Sequence, residues 1–99
     1  MAKRSVDLHP EAVEEIRAAF EWYGLRSEMA ASGFIAEIDV AMEHIAESPD
    51  QWPTYFAGTR RYLLQRFPYA AIYREAGDTV QVIAVAHGRR RPGYWKDRG

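Results

Sequence analysis

Residues 82–95 read VIAVAHGRRRPGYW. An apolar run passes directly into three consecutive arginines, then a proline, a glycine and two aromatics. Arginine carries a planar fork of donors that matches phosphate or carboxylate in two places at once. His87 and Tyr94 flank the cluster. Together with Arg90 they offer a base, an acid and a cationic clamp, which is what cleavage of RNA through its 2′-hydroxyl needs. As a nuclease signature this is thin, because one histidine beside arginines is commonly structural. A second use of the same residues is binding. Arg89, Arg90, Arg91, Tyr94 and Trp95 would join Arg60, Arg61, Arg66 and Arg74 of neighbouring strands in one basic surface for a polyanion or an acidic protein partner.

Other chemistries are poorly served. The chain has no cysteine, so disulfides, thiolate zinc sites and cysteine nucleophiles are excluded. His9, His44 and His87 fall in no ligand spacing, and no metal site is expected. There is no glycine-rich phosphate loop and no nucleophile elbow, and no cofactor is expected. The start, MAKRSVDLHP, lacks the apolar stretch of a signal peptide, and nothing approaches a membrane span. A cytoplasmic protein without membrane contact is the expectation. The net charge of -1 conceals an asymmetry. Residues 1–58 hold four Lys/Arg against eleven Asp/Glu, and residues 59–99 hold nine against three. An acidic face and a basic face follow.

Ninety-nine residues, 47% of them hydrophobic, suit a single domain spanning 1–99. Val6 and Leu8 alternate with Ser5 and Asp7, as in a short half-buried strand. Pro10 opens a helix whose apolar face is Val13, Ile16, Phe20 and Tyr23, with Glu11, Glu14 and Glu15 placed for its dipole. Trp22 cannot share that face fully with Tyr23, so one of the two is free for a partner. Ser27 or Ser32 caps a second helix carrying Phe34, Ile38, Ala41, Met42 and Ile45, which ends before Pro49 and Pro53. Three strands follow: RRYLLQRF, YAAIYRE and VQVIAVAHG, the last two joined at Gly77–Asp78. Val80, Val82, Ala84 and Ala86 would face one way and Ile83 and Val85 the other, which makes this last strand central. Phe67 and Trp95 read as core. The fold class is α+β: an N-terminal strand, an antiparallel helical hairpin, then a three-stranded antiparallel meander, all in one sheet with the helices on one face.

The stretches WYGLRSEMAASGFIAEIDVAMEHIAESPDQWP, RRYLLQRFPYAAIYRE and VIAVAHGRRRPGYW together resemble the RelE/ParE toxin superfamily of type II toxin–antitoxin modules. The resemblance covers nearly the whole chain. It implies a toxin neutralised by a cognate antitoxin whose C-terminal segment wraps it, with homo-oligomers arising through that complex. Its RelE-like branch cuts messenger RNA on the ribosome, and its ParE-like branch inhibits DNA gyrase. Where RelE-like proteins carry two lysines this chain has Arg61 and Leu63, and where they carry an arginine in the next strand it has Ala70. Arg90 matches their arginine after the glycine, and Tyr94 lies near their terminal tyrosine. Leu63 and Ala70 cannot clamp a phosphate. The resemblance therefore points to the ParE-like, non-enzymatic branch, with the ribosome-dependent endoribonuclease as the alternative and a harmless RNA-binding module as a third.

Overall fold

A computed structural model describes residues 3–98. β1 (Ser5–Leu8) leads through His9 into α1 (Pro10–Gly24), and α2 (Glu28–Glu47) returns antiparallel to it. A 3-10 turn at Phe56–Gly58 precedes β2 (Arg60–Leu63), β3 (Tyr69–Ala76) and β4 (Thr79–His87). His9 Nδ1 accepts from the Glu11 N–H, so a histidine caps α1, with Pro10 in its first turn. Of the two serine caps expected for α2, Ser27 holds the position, its Oγ accepting from the Ala30 N–H.

The strands form one sheet in the order β1-β4-β3-β2. β2, β3 and β4 make the expected antiparallel meander, with Gly77–Asp78 as the tight connection between the Ala76–Thr79 pair. β1 enters parallel to β4, from Ser5↔Thr79 to Leu8↔Val82, so the sheet is mixed. The helical hairpin between β1 and the meander is the crossover that a parallel neighbour requires. β4 is central, as its apolar sequence implies. The first meander strand is shorter than the run RRYLLQRF, because Leu64 N–H already turns to Tyr69 O at 3.0 Å and closes the corner.

Two details differ from simple periodicity. On α1 the buried stripe is Ala12, Ile16, Ala19 and Tyr23, while Val13 and Phe20 remain 48% and 42% exposed. The alanines allow the helix axis close to the sheet, and this rotates the larger apolar side chains outward. On β4 the alternation breaks. Ile72 pairs with Ala84 but Tyr73 with Val82, so Ile83 is an extra residue in a β-bulge. Val80 and Val82 face the helices, Ile83 and Ala84 both face away, and Val85 faces the helices again. The expected grouping of Ala84 and Ala86 with Val80 and Val82 is thereby overturned.

The bulge divides the apolar material into two cores. Beneath the helices lie Phe34, Ile38, Ala41, Ile45, Ala71, Tyr73, Val80, Val82 and Val85, with Phe67 at the margin. On the opposite face Ala70, Ile72, Ile83 and Ala84 are covered by Trp95, only 1% exposed, and by Tyr55. Residues 88–98 form a strap of turns after β4 that carries Trp95 back over this second face.

Candidate functional site: a groove and a cleft on either side of one strap

The parallel pairing of β1 stops at Val82, where His9 N–H donates to Val82 O at 2.8 Å. Beyond that point the edge of β4 has no strand beside it, and side chains meet its backbone instead. Val85 N–H donates to Glu15 Oε1 at 2.9 Å, and Arg98 Nη1 donates to Ile83 O at 3.2 Å. Arg98 also grips Glu15 with both arms, at 3.0 Å to each carboxylate oxygen. Tyr94 donates its hydroxyl to Glu15 Oε2 at 2.5 Å. One carboxylate from α1 thus accepts from the strand and from two residues of the strap. Burial first, then this hydrogen bond, pushes the Tyr94 hydroxyl pKa well above the usual phenol range. The bond to Glu15 likewise raises Arg98.

Past Val85 a groove of about 550 Å³ opens between α1 and β4. Ala18, Ala19, Trp22, Tyr69, Val85 and His87 line it, with Arg90 and Tyr94 at its rim. In an antiparallel ladder successive residues point alternately toward and away from the paired strand. Since Val85 N–H points away from β3, His87 N–H points away as well, into this groove. Trp22 is 50% exposed, whereas Tyr23 packs on Phe34 and Phe67. This is the division of labour anticipated for that pair.

The opposite face of the sheet holds a cleft of about 310 Å³. Its floor is Ala70, Ile72, Ala86 and Trp95, and Tyr55 forms a wall. Arg61 reaches it from β2, and Arg90 and Arg91 from the strap. No Asp or Glu lines it. The Arg61 guanidinium sits 4.3 Å above the Tyr55 ring, and that of Arg90 sits 3.7 Å above Tyr94. Such stacking holds a guanidinium in place without neutralising it.

The basic surface expected from sequence therefore assembles in part. Arg61, Arg90 and Arg91 converge, and Arg89 lies exposed beside them. Arg66 does not join; it pairs with Glu37 of α2 at 3.6 Å. Arg74 is also elsewhere, donating to Gln81 at 3.3 Å above a separate depression shared with Arg60 and Glu75. Trp95 is floor and not contact surface. His87 borders both groove and cleft, and its Nδ1 accepts from Arg89 N–H at 3.0 Å. Among the described residues there is no group of His, Asp and Glu able to hold a metal ion, and no helix is long and apolar enough to cross a membrane. Sequence reasoning missed Glu15 and Arg98. Glu15 looked like one more dipole-compensating acid, and nothing local ties it to a residue 83 positions away.

Residues 6–92 match the family described as ParE toxin of type II toxin-antitoxin system, parDE. The chain belongs to the ParE toxin family. Among solved structures it is similar to the chromosomal ParDE TA system from P. aeruginosa, with a TM-score of 0.75 and 20% identity over 86% of this chain and 96% of that one. At that identity the likeness speaks for the fold. No curated protein matches the chain. As a ParE-family toxin of a type II system, the chain carries apolar Leu63 and Ala70 in its cleft, Leu63 60% exposed.

Proposed function

We propose that this ParE-family toxin acts in the cytoplasm by binding DNA gyrase, without cutting RNA, and that a cognate antitoxin holds it inert. The observation that carries the non-nuclease reading is the engagement of Tyr94. Its hydroxyl already donates to Glu15 on the groove side of the strap, and burial keeps it protonated. It is therefore not presented to a phosphate lying across the cleft. Leu63 and Ala70 add apolar surface where a second clamp would be required. A nuclease of this plan would lack both its acid and much of its electrostatic stabilisation.

The groove suits the antitoxin. It is apolar, runs beside an unpaired strand edge, and ends at the half-exposed Trp22. An extended or helical antitoxin segment that folds on binding would bury this surface and hydrogen-bond to the edge. Homo-oligomers would then arise through the antitoxin. Purified protein added to gyrase is expected to stop supercoiling and trap a cleavage complex. Unchanged supercoiling, with transcript cuts that vanish in Arg90→Ala, would replace this reading with the ribosome-dependent endoribonuclease. For the antitoxin, Ala18→Arg is expected to abolish neutralisation by the neighbouring gene product in co-expression while leaving toxicity intact.

A further inference from the structure

The cations of the chain sort into two groups. Lys3, Arg4, Arg17, Arg66 and Arg98 each form an ion pair with a carboxylate. Arg26, Arg60, Arg61, Arg74, Arg89, Arg90, Arg91 and Lys96 form none among the described residues. Of these, Arg26, Arg60 and Arg74 donate to Trp22 O, Trp52 O and Gln81, whereas Arg61, Arg90 and Arg91 gather at the cleft on the face away from the helices. That cleft is lined by Arg61, Arg90, Arg91 and His87 and by no acid. Two of its guanidinium groups are held by aromatic stacking, which leaves their outer N–H groups available. An aromatic platform borders it. Tyr55 and Phe56 are stacked in parallel at 4.8 Å and 7°, and Phe56 is 52% exposed.

We infer that this cleft binds the phosphodiester backbone of single-stranded nucleic acid, with Arg61, Arg90 and Arg91 on successive phosphates and Phe56 stacking an unpaired base. Charge alone would also suit an acidic peptide. The half-exposed Phe56 ring beside fixed guanidinium planes favours the nucleic acid, because backbone cations alternating with base-stacking aromatics are how single strands are held. A duplex keeps its bases stacked inside and offers nothing to Phe56. The inference does not rest on the gyrase reading. It needs only the folded chain, and it stands or falls by direct binding.

Fluorescence anisotropy with labelled twelve-nucleotide oligo-dT and oligo-U tests it, with the two arms separating a DNA source from an RNA one. Three neutralised phosphates on a single strand predict a salt slope of about −2, or roughly a twenty-fold loss of affinity between 50 and 200 mM salt. Each of Arg61→Ala, Arg90→Ala and Arg91→Ala should reduce that slope by about 0.7. Phe56→Ala should weaken binding roughly tenfold and leave the slope unchanged. Arg17→Ala, on the helical face, should alter neither, and circular dichroism on every variant keeps a folding failure from passing as a binding one. The inference is overturned if neither oligonucleotide binds or if the variant combining Arg61→Ala, Arg90→Ala and Arg91→Ala binds as wild type. It is also overturned if poly-glutamate displaces the oligonucleotide at equal charge.

Discussion

Glu15 is the side chain on which the most depends. It and Arg98 are only 17% and 13% exposed, and the carboxylate accepts from Val85, Tyr94 and Arg98. Removing one member of such a pair leaves the other charge without its partner. Glu15→Ala is expected to lower unfolding free energy by about 3 kcal/mol, read from the shift in the urea midpoint. Tyr94→Phe, which removes one neutral donor and no charge, should cost about 1.5 kcal/mol by the same measurement. Ala57 offers a contrast of opposite sign. It sits at φ 57°, ψ 40°, in the left-handed region, and the neighbouring Gly58 is also at positive φ. Ala57→Gly should stabilise the fold by about 1 kcal/mol, since only glycine occupies that region without a Cβ clash. Neither site was legible beforehand. A glutamate near a helix N-terminus has a sufficient local explanation, and an alanine gives no sign of its backbone angle.

At the level of elements, sequence was most informative where one local signal fixed one outcome. Pro10, Ser27, Pro49 and Gly77–Asp78 bound the helices and the hairpin, and each lies where its chemistry places it. It was least informative where the partner element decides. Strict alternation along VQVIAVAHG cannot reveal a bulge, because the extra residue is defined only against Ile72 and Tyr73 across the ladder. Nor can helical spacing distinguish Val13 from Ala12 as the buried residue when close approach to the sheet favours the smaller one. A pair of substitutions checks the bulge. Val85→Ser, on the helix side, should cost about 2–3 kcal/mol, as expected for deleting buried apolar groups and adding a hydroxyl. Ala86→Ser, part-exposed in the cleft, should cost under about 0.5 kcal/mol. A plain alternating strand would group Val85 with Ile83 on the face opposite the helices.

For the molecule as a whole, the division between acidic and basic halves proved real but finer than composition suggested. Arg66 and the N-terminal cations answer the acids of the helices and of Glu75, Arg26, Arg60 and Arg74 donate to neutral oxygens, and Arg61, Arg90 and Arg91 collect at one cleft. The same architecture sets an alkaline limit. Tyr73, donating to Pro49 O at 2.6 Å, and Tyr94, donating to Glu15, both have hydroxyl pKa values raised chiefly by burial. A group whose pKa is higher folded than unfolded contributes its full stability below the unfolded value and loses it above. The fold should therefore hold its stability up to about pH 10 and weaken beyond it. Urea melts across pH 8 to 11 should show that decline, and it should be shallower in Tyr73→Phe. The basic cleft was partly legible, since Arg61, Arg90 and Arg91 were all named. Its separation from Arg66 and Arg74 was not, because sequence does not say which cation already has an anion.

The strap closes on a residue far back in the chain, and this bears on the order in which a ribosome makes the protein. Synthesis delivers β1 and the helices first, with Glu15 facing water and no guanidinium to receive it. Part of the groove rim, the Trp95 part of the cleft floor and the cover over the second core come from residues 90–98. A nascent chain therefore completes neither surface until residues 90–98 are released, and any stall before them leaves both unfinished.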